Sequence, residues 1–314
     1  ESIYPNSLTV TDGVISGILW QNKLRFFKIR TDGSMPAEGF YGQDLGPIDG
    51  IGPSWQAVSP DRKWIYLNIS ATRNREFHRQ NAWLYKVVNR KDVAGHTIHR
   101  MPFDLSKPVG APFLGEKDKP GNDAKHLSFP EAVTCDAKGQ LYVADKGNDR
   151  VQVFSAEGGL VKSLPVEAPV QAVAHPKTDA IYVLSHPGPK KLFKLIKFRG
   201  LNDPKVEAEV EFKTETDVIP ILPTFCLDTW GKEDTLWITA PRGNVQLYVD
   251  KGKKIELKRD LQEDLKKDWK GEAVNEFSLG VLAADPCHPY LYVNDARTGA
   301  PPGRGNTSPR IHTE

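Results

Sequence analysis

The residues of this 314-residue chain that could do chemistry are few and dispersed. Glu131 is an acid inside an otherwise apolar segment, Pro130-Glu-Ala-Val. Such a carboxylate serves as a general base only with a raised pKa and a proton partner within hydrogen-bond reach. Otherwise it holds water or a calcium ion, or pairs with a basic side chain. Gln56 and Gln171 read as its equivalents in two sister segments, with Trp55 and Phe225 as aromatic neighbours. Asp145, Arg150, Arg242, Asp295 and Arg297 place charges of both signs in nearby turns, a set that suits a polar ligand or a protein loop. His126 and His186 reach the same region, but a zinc centre needs three protein ligands and an open fourth position. The sequence holds no GxSxG elbow, no phosphate-cradling glycine loop and no HExxH. Cys135, Cys226 and Cys287 lack CxxC and CxxCH spacing, which excludes a zinc knuckle, a thioredoxin-type pair and covalent haem attachment.

Bulk properties narrow the partners. A net charge of +2 gives no global field toward nucleic acid. No apolar run approaches the roughly 18–20 residues that cross a bilayer as a helix. The chain starts at Glu1 rather than Met, as after removal of a leader or in one piece of a longer polypeptide. Asn68-Ile-Ser70 and Asn306-Thr-Ser308 are glycosylation sequons. Together these point outside the cytoplasm, to a periplasmic or secreted protein.

The elements that must position these residues come from a repeat. A short apolar strand, a Pro/Asp/Gly turn and a second strand carrying an aromatic between aliphatics recur along the chain. The copies are Gln56-Ala-Val-Ser-Pro-Asp with Trp64-Ile-Tyr-Leu67, Glu131-Ala-Val-Thr-Cys-Asp with Leu141-Tyr-Val-Ala-Asp145, and Gln171-Ala-Val-Ala-His-Pro with Ile181-Tyr-Val-Leu184. A weaker copy joins Cys226-Leu-Asp-Thr-Trp to Leu236-Trp-Ile-Thr239, and the last joins Gly280-Val-Leu-Ala-Ala-Asp to Leu291-Tyr-Val-Asn-Asp295. Third strands are expected at 82–87, 150–154, 191–195 and 244–248. Alternating apolar and polar residues give each strand a strand period. The tightest spacing, near 40 residues, is that of one four-stranded propeller blade. The expected fold is all-β: a single propeller over 1–314, of six four-stranded antiparallel blades, or five if the N-terminal strands complete the last one. The last blade is expected to be truncated, and insertions are expected at 104–127 and 255–275, the latter with a short helix at 261–269.

The stretch Phe129-Pro-Glu-Ala-Val-Thr-Cys-Asp-Ala-Lys-Gly-Gln-Leu-Tyr-Val-Ala-Asp-Lys-Gly-Asn-Asp-Arg-Val-Gln-Val-Phe154 closely resembles the NHL repeat. That pattern runs from Pro through an apolar strand, Asp-x-x-Gly and Tyr-Val-Ala-Asp to Asn-x-Arg-Val-x-Val-Phe. Its residues read as structural: Asp145 accepts backbone N–H groups in its turn, Gly147 and Asn148 tolerate positive φ, and Arg150 pairs with a neighbouring carboxylate. The resemblance also implies where ligands approach, at the channel mouth where first strands begin. NHL-like lyases acting on hydroxylated glycine peptides hold zinc on channel histidines. Here His175 and His288 fall in turns of the opposite face and His96 and His99 on an outer strand, so that metal site does not carry over.

The functional reading is a binding or scaffold propeller, a subunit or domain of a larger assembly, offering a polar and aromatic mouth to a protein partner or small polar ligand. The alternative is a lyase or hydrolase with zinc or calcium in the channel, with Glu131 as base. An RNA-binding NHL propeller is a lesser alternative, because acids interrupt the basic rim.

Overall fold

The computed structural model describes residues 4–21, 23–35, 41–44, 54–69, 71–72, 93–187, 192–213, 223–240, 244–261, 263, 279–285, 288–295 and 310–312. Strands dominate them. The first sheet contains β1 (Tyr4–Thr11), β2 (Val14–Gln21), β3 (Lys23–Arg30) and β4 (Tyr41–Asp44). The second contains β5 (Ser54–Val58) and β6 (Trp64–Ile69). A short ribbon, β7 (Ala71–Thr72) with β8 (Val93–Ala94), then leads to its outer strands β9 (Ile98–Pro102) and β10 (Pro112–Leu114). The third blade is β11 (Pro130–Cys135), β12 (Leu141–Asp145), β13 (Arg150–Phe154) and β14 (Leu160–Pro165). The fourth is β15 (Pro169–Ala174), β16 (Ile181–Ser185), β17 (Leu192–Phe198) and β18 (Val206–Lys213). The fifth is β19 (Phe225–Asp228), β20 (Thr235–Ala240), β21 (Asn244–Asp250) and β22 (Ile255–Asp260). The last sheet has three strands among the described residues, β23 (Leu279–Ala284), β24 (Tyr290–Asp295) and β25 (Arg310–His312).

This is a β-propeller. Among the described residues five sheets have four antiparallel strands each and a sixth has three, and the N-terminal strands form a sheet of their own rather than completing the last one. Inner strands pack in succession, and β23 returns to β1, closing the ring.

The core follows from strand alternation. Each sheet buries both faces, so its side chains pack sideways against two neighbouring blades. Among the described residues six apolar clusters result, one in each gap between adjacent sheets. Val10 and Ile15 meet Ala283 and Tyr292 across the closing seam. Tyr66 meets Val143 and Phe154, and Tyr142 meets Ile181 and Val183. Tyr182, Leu184 and Phe193 meet Phe225 and Ile238. No helix among the described residues is long and apolar enough to cross a membrane.

Two expectations about the second blade change. Its third strand is β9, which pairs with β6 along Ile98–Pro102. The segment 82–87 lies outside the described residues. The 104–127 segment is also part blade, since β10 within it forms the outermost strand. Likewise β22 supplies the start of 255–275, while the expected helix at 261–269 lies mostly outside the described residues.

Candidate functional site

The best-defined polar cluster sits where β12 turns into β13. A 3-10 turn, Lys146–Asn148, joins the strands, and Asp149 follows in the left-handed region at φ 52°. The strained residue is therefore Asp149, not Gly147 or Asn148. Gly147 is needed for a different reason: a Cβ there would stand 2.5 Å from the Ser128 carbonyl oxygen. Asp145 is fully buried and accepts from the Ser128 N–H (2.6 Å), Asn148 Nδ2 (2.8 Å) and Arg150 Nε (2.7 Å).

Arg150 then reaches beyond its own blade. Its guanidinium donates to the carbonyls of Asn122 (2.6 Å), Asp123 (2.9 Å) and His126 (3.0 Å). Asn148 adds a bond to the Gly121 carbonyl at 2.7 Å. The NHL turn thus holds the 121–126 loop through backbone groups, with a charge-assisted anchor at its centre. A cleft of about 450 Å³ lies between the two, lined by Gly121, Asn122, Gly147, Asn148 and Asp149.

Glu131 is buried and ion-paired to Lys146 at 3.1 Å, whose ammonium also lies 5.9 Å from the Phe129 ring centroid. Burial pushes the Glu131 carboxyl above its usual range, and Lys146 opposes that shift. A base is conceivable in such a setting only with a substrate path to it.

The apparent equivalence of Gln56, Glu131 and Gln171 does not survive the ladder. Gln56 stands opposite Leu67, but in the fourth blade the residue opposite Val183 is Ala172, and in the third the residue opposite Val143 is Val133. A one-residue offset turns a side chain to the other face of its sheet. Gln56 accordingly points back to the first blade and donates to the Ser16 carbonyl at 3.0 Å. Gln171 points forward to the fifth blade, where it bonds the Phe225 backbone. Both amides are buried between blades. Phe225 is 1% exposed and belongs to the core rather than to a ligand-facing rim. Trp55 stands opposite Asn68 and is half-buried.

The histidines are likewise engaged. His126 Nδ1 lies 2.8 Å from Asp123 Oδ2, and its Nε2 lies 3.4 Å from Glu116. His186 is buried and stacked on Phe193, ring centroids 4.3 Å apart. His96 Nδ1 accepts the Phe129 N–H at 3.1 Å. Among the described residues no three His, Cys, Asp or Glu side chains form a group that could hold a metal ion. Burial pushes the Cys135 thiol up to about 12 and the Cys226 thiol higher still, so neither is a ready nucleophile. Arg242 and Arg297 lie outside the described residues, and Asp295 is described only as the residue opposite Leu279 at the end of β24.

Sequence reasoning placed Asn68 in a sequon and His175 in a turn of the face opposite the channel mouth, but missed the contacts that each makes. Asn68 is fully buried and its Nδ2 donates to the carbonyls of Pro130 (2.7 Å) and Glu131 (2.8 Å), so its sequon is closed to glycosylation in the folded chain. His175 caps its turn by accepting the N–H groups of Lys177 and Thr178. Its signal was its place at the turn, where Asp136 and Asp285 stand in sister copies and Ser59 in another.

Comparison with known proteins agrees with this architecture. The family model described as the NHL repeat matches residues 127–154. A probable peptidyl-alpha-hydroxyglycine alpha-amidating lyase of Caenorhabditis elegans is 31% identical over 96 residues, 30% of this chain and 25% of that protein. Peptidyl-alpha-hydroxyglycine alpha-amidating lyase 2 of Drosophila melanogaster is 29% identical over 96 residues, 30% of this chain and 23% of that one. The matched stretch therefore spans about a quarter of either relative's length. Hydrazine synthase of Kuenenia stuttgartiensis superposes with a TM-score of 0.53 at 12% identity, over 92% of this chain and 73% of that one. Virginiamycin B lyase from Staphylococcus aureus gives a TM-score of 0.50 at 13% identity, over 99% and 85%. At such identities the likeness is one of fold.

Proposed function

We propose that this NHL-repeat β-propeller is a binding or scaffold module, acting outside the cytoplasm within a larger assembly. The observation that carries the reading is Arg150. It gathers three carbonyls of the 121–126 loop and, through Asp145, fixes that loop on the third blade. Polar groups here build a presented surface rather than converge on a reacting atom. The cleft beside it, lined largely by backbone and amide groups, fits a polar segment of a protein partner or a small polar ligand. With the Asn68 sequon buried, Asn306-Thr-Ser308 is the sequon that supports this location.

The test uses a variant that fills the cleft. Asn122 is exposed, and its backbone carbonyl, not its side chain, meets Arg150. Asn122→Arg should keep the fold and abolish capture of whatever the wild type retains. Equal capture by both proteins rules out this cleft.

A lyase reading is favoured by the names of the two curated relatives. Against it, no three His, Cys, Asp or Glu side chains among the described residues form a group that could hold zinc, and His126 Nδ1 is taken up by Asp123. Incubating the purified chain with a peptide ending in α-hydroxyglycine decides the matter. Release of the peptide amide with glyoxylate would establish the lyase and displace the scaffold reading.

A further inference from the structure

The inner hairpins of the second to sixth blades end at the lower face, opposite the starts of the first strands, in turns with a side-chain acceptor, and the ladder aligns the acceptors. The N–H groups of Ser59, Asp136, His175 and Asp285 bond the carbonyls of Trp64, Gln140, Ala180 and Tyr290 in turn. Asp228 pairs with Thr235 at the same level. The acceptor is a carboxylate in most of them. Asp136 Oδ1 accepts from the N–H of Lys138 (2.9 Å) and Gln140 (2.8 Å), and Asp228 Oδ1 accepts from that of Trp230 (3.0 Å). Asp285 Oδ1 accepts from His288 N–H at 3.2 Å.

His175 does the same work with a ring nitrogen. Its Nδ1 accepts from the N–H of Lys177 and of Thr178, both at 3.0 Å. Two incoming N–H groups require a bare lone pair on Nδ1, so Nε2 carries the proton and donates to Asp234 Oδ2 of the fifth blade at 2.9 Å. The imidazole is 3% exposed.

We propose that His175 is a pH-sensitive turn latch. Neutral, it closes the turn 175–180 and ties the fourth blade to the fifth. A proton on Nδ1 removes the acceptor and sets a third N–H against two others, so the turn opens while Nε2–H stays on Asp234. Acidification thereby frees two backbone N–H groups on the lower face. An imidazole in general takes its proton between about pH 5 and 8, above the range in which carboxyl groups ordinarily do. The other charged side chains of this turn and of the neighbouring blades have partners of their own. Lys177 on the same turn is drawn off to the Thr229 carbonyl, and Asp179 faces Lys138 of the third blade. From the fifth blade come Asp234 itself, the Glu233–Lys251 pair, and Asp250, which is held by Tyr182 and Lys197.

Hydrogen exchange read by mass spectrometry on the intact chain tests the latch, with rates corrected for intrinsic pH dependence. Protection of 176–179 should fall about ten-fold between pH 7.5 and 5.5, the loss expected for two neutral hydrogen bonds. The Asp136 turn in the same sample should hold steady. In His175→Asn, or in His175→Asp, which copies the sister turns, the fall at 176–179 should vanish. Steady protection in the wild type, an equal fall at the Asp136 turn, or the same fall in a folded variant would each overturn the proposal.

Discussion

Gln171 on β15 holds both hydrogen-bonding groups of Phe225 on β19: Nε2 donates to the carbonyl at 2.8 Å, and Oε1 accepts the N–H at 2.9 Å. The side-chain amide acts as an extra peptide unit between the inner strands of adjacent blades. Gln56 makes a looser bond in the opposite direction round the ring, to Ser16.

Replacing Gln171 by Leu should therefore destabilise the chain by about 2–4 kcal/mol, since two buried backbone groups lose their partners. Gln56→Leu should cost about 1–2 kcal/mol. Urea unfolding of the two variants checks the order, and a Gln56 variant that proves the weaker would refute the asymmetry.

Arg150→Ala leaves Asp145 buried without its cation and releases three carbonyls. A loss of about 3–5 kcal/mol is expected for a broken buried pair. New protease cleavage should appear within 116–127 before cleavage elsewhere. Arg150→Lys restores a charge but not the fork, and should rescue only part of the loss.

Asp123 ties the loop by accepting the N–H groups of Lys125 and His126 and the His126 ring. The His126 side chain, followed by these backbone bonds, lowers its carboxyl from 3.8 to about 2. A carboxyl depressed on folding stabilises fully above its unfolded value and loses that effect as pH falls through the folded one. The loop should thus stay attached at pH 4 and loosen toward pH 2, read as pepsin cleavage at 121–126. Asp123→Asn should loosen it already at neutral pH.

Expression in a glycosylating host should leave Asn68 bare, because both protons of its amide are donated to the third blade in the folded chain. Peptide mass spectrometry at the Asn68-Ile-Ser70 sequon checks this. A glycan there would mean that the β6–β11 contact forms differently.

Much of the fold could be read from residue order. Tyr66, Tyr142 and Tyr182 mark the second strands of three blades, and their flanking aliphatics alternate as two buried faces demand. The candidate site was far less legible. Gln56, Glu131 and Gln171 share the same following Ala-Val, yet they stand three, four and five residues before their turns in the order Ser59, His175, Asp136 for Gln56, Gln171 and Glu131. Matching the motif by its letters misaligned the faces.

Local chemistry in the chain was enough to set the strand period, the blade repeat and the Asp145–Arg150 turn, because each depends on neighbours close in sequence. Which blade a polar side chain addresses depends on ladder register and on the packing of sheets brought together by ring closure. A shift of one residue reverses a side chain's face at no visible cost in the sequence. Only the assembled ring therefore decided that Gln171 clasps Phe225, that Asn68 is closed to solvent, and that His175 meets Asp234.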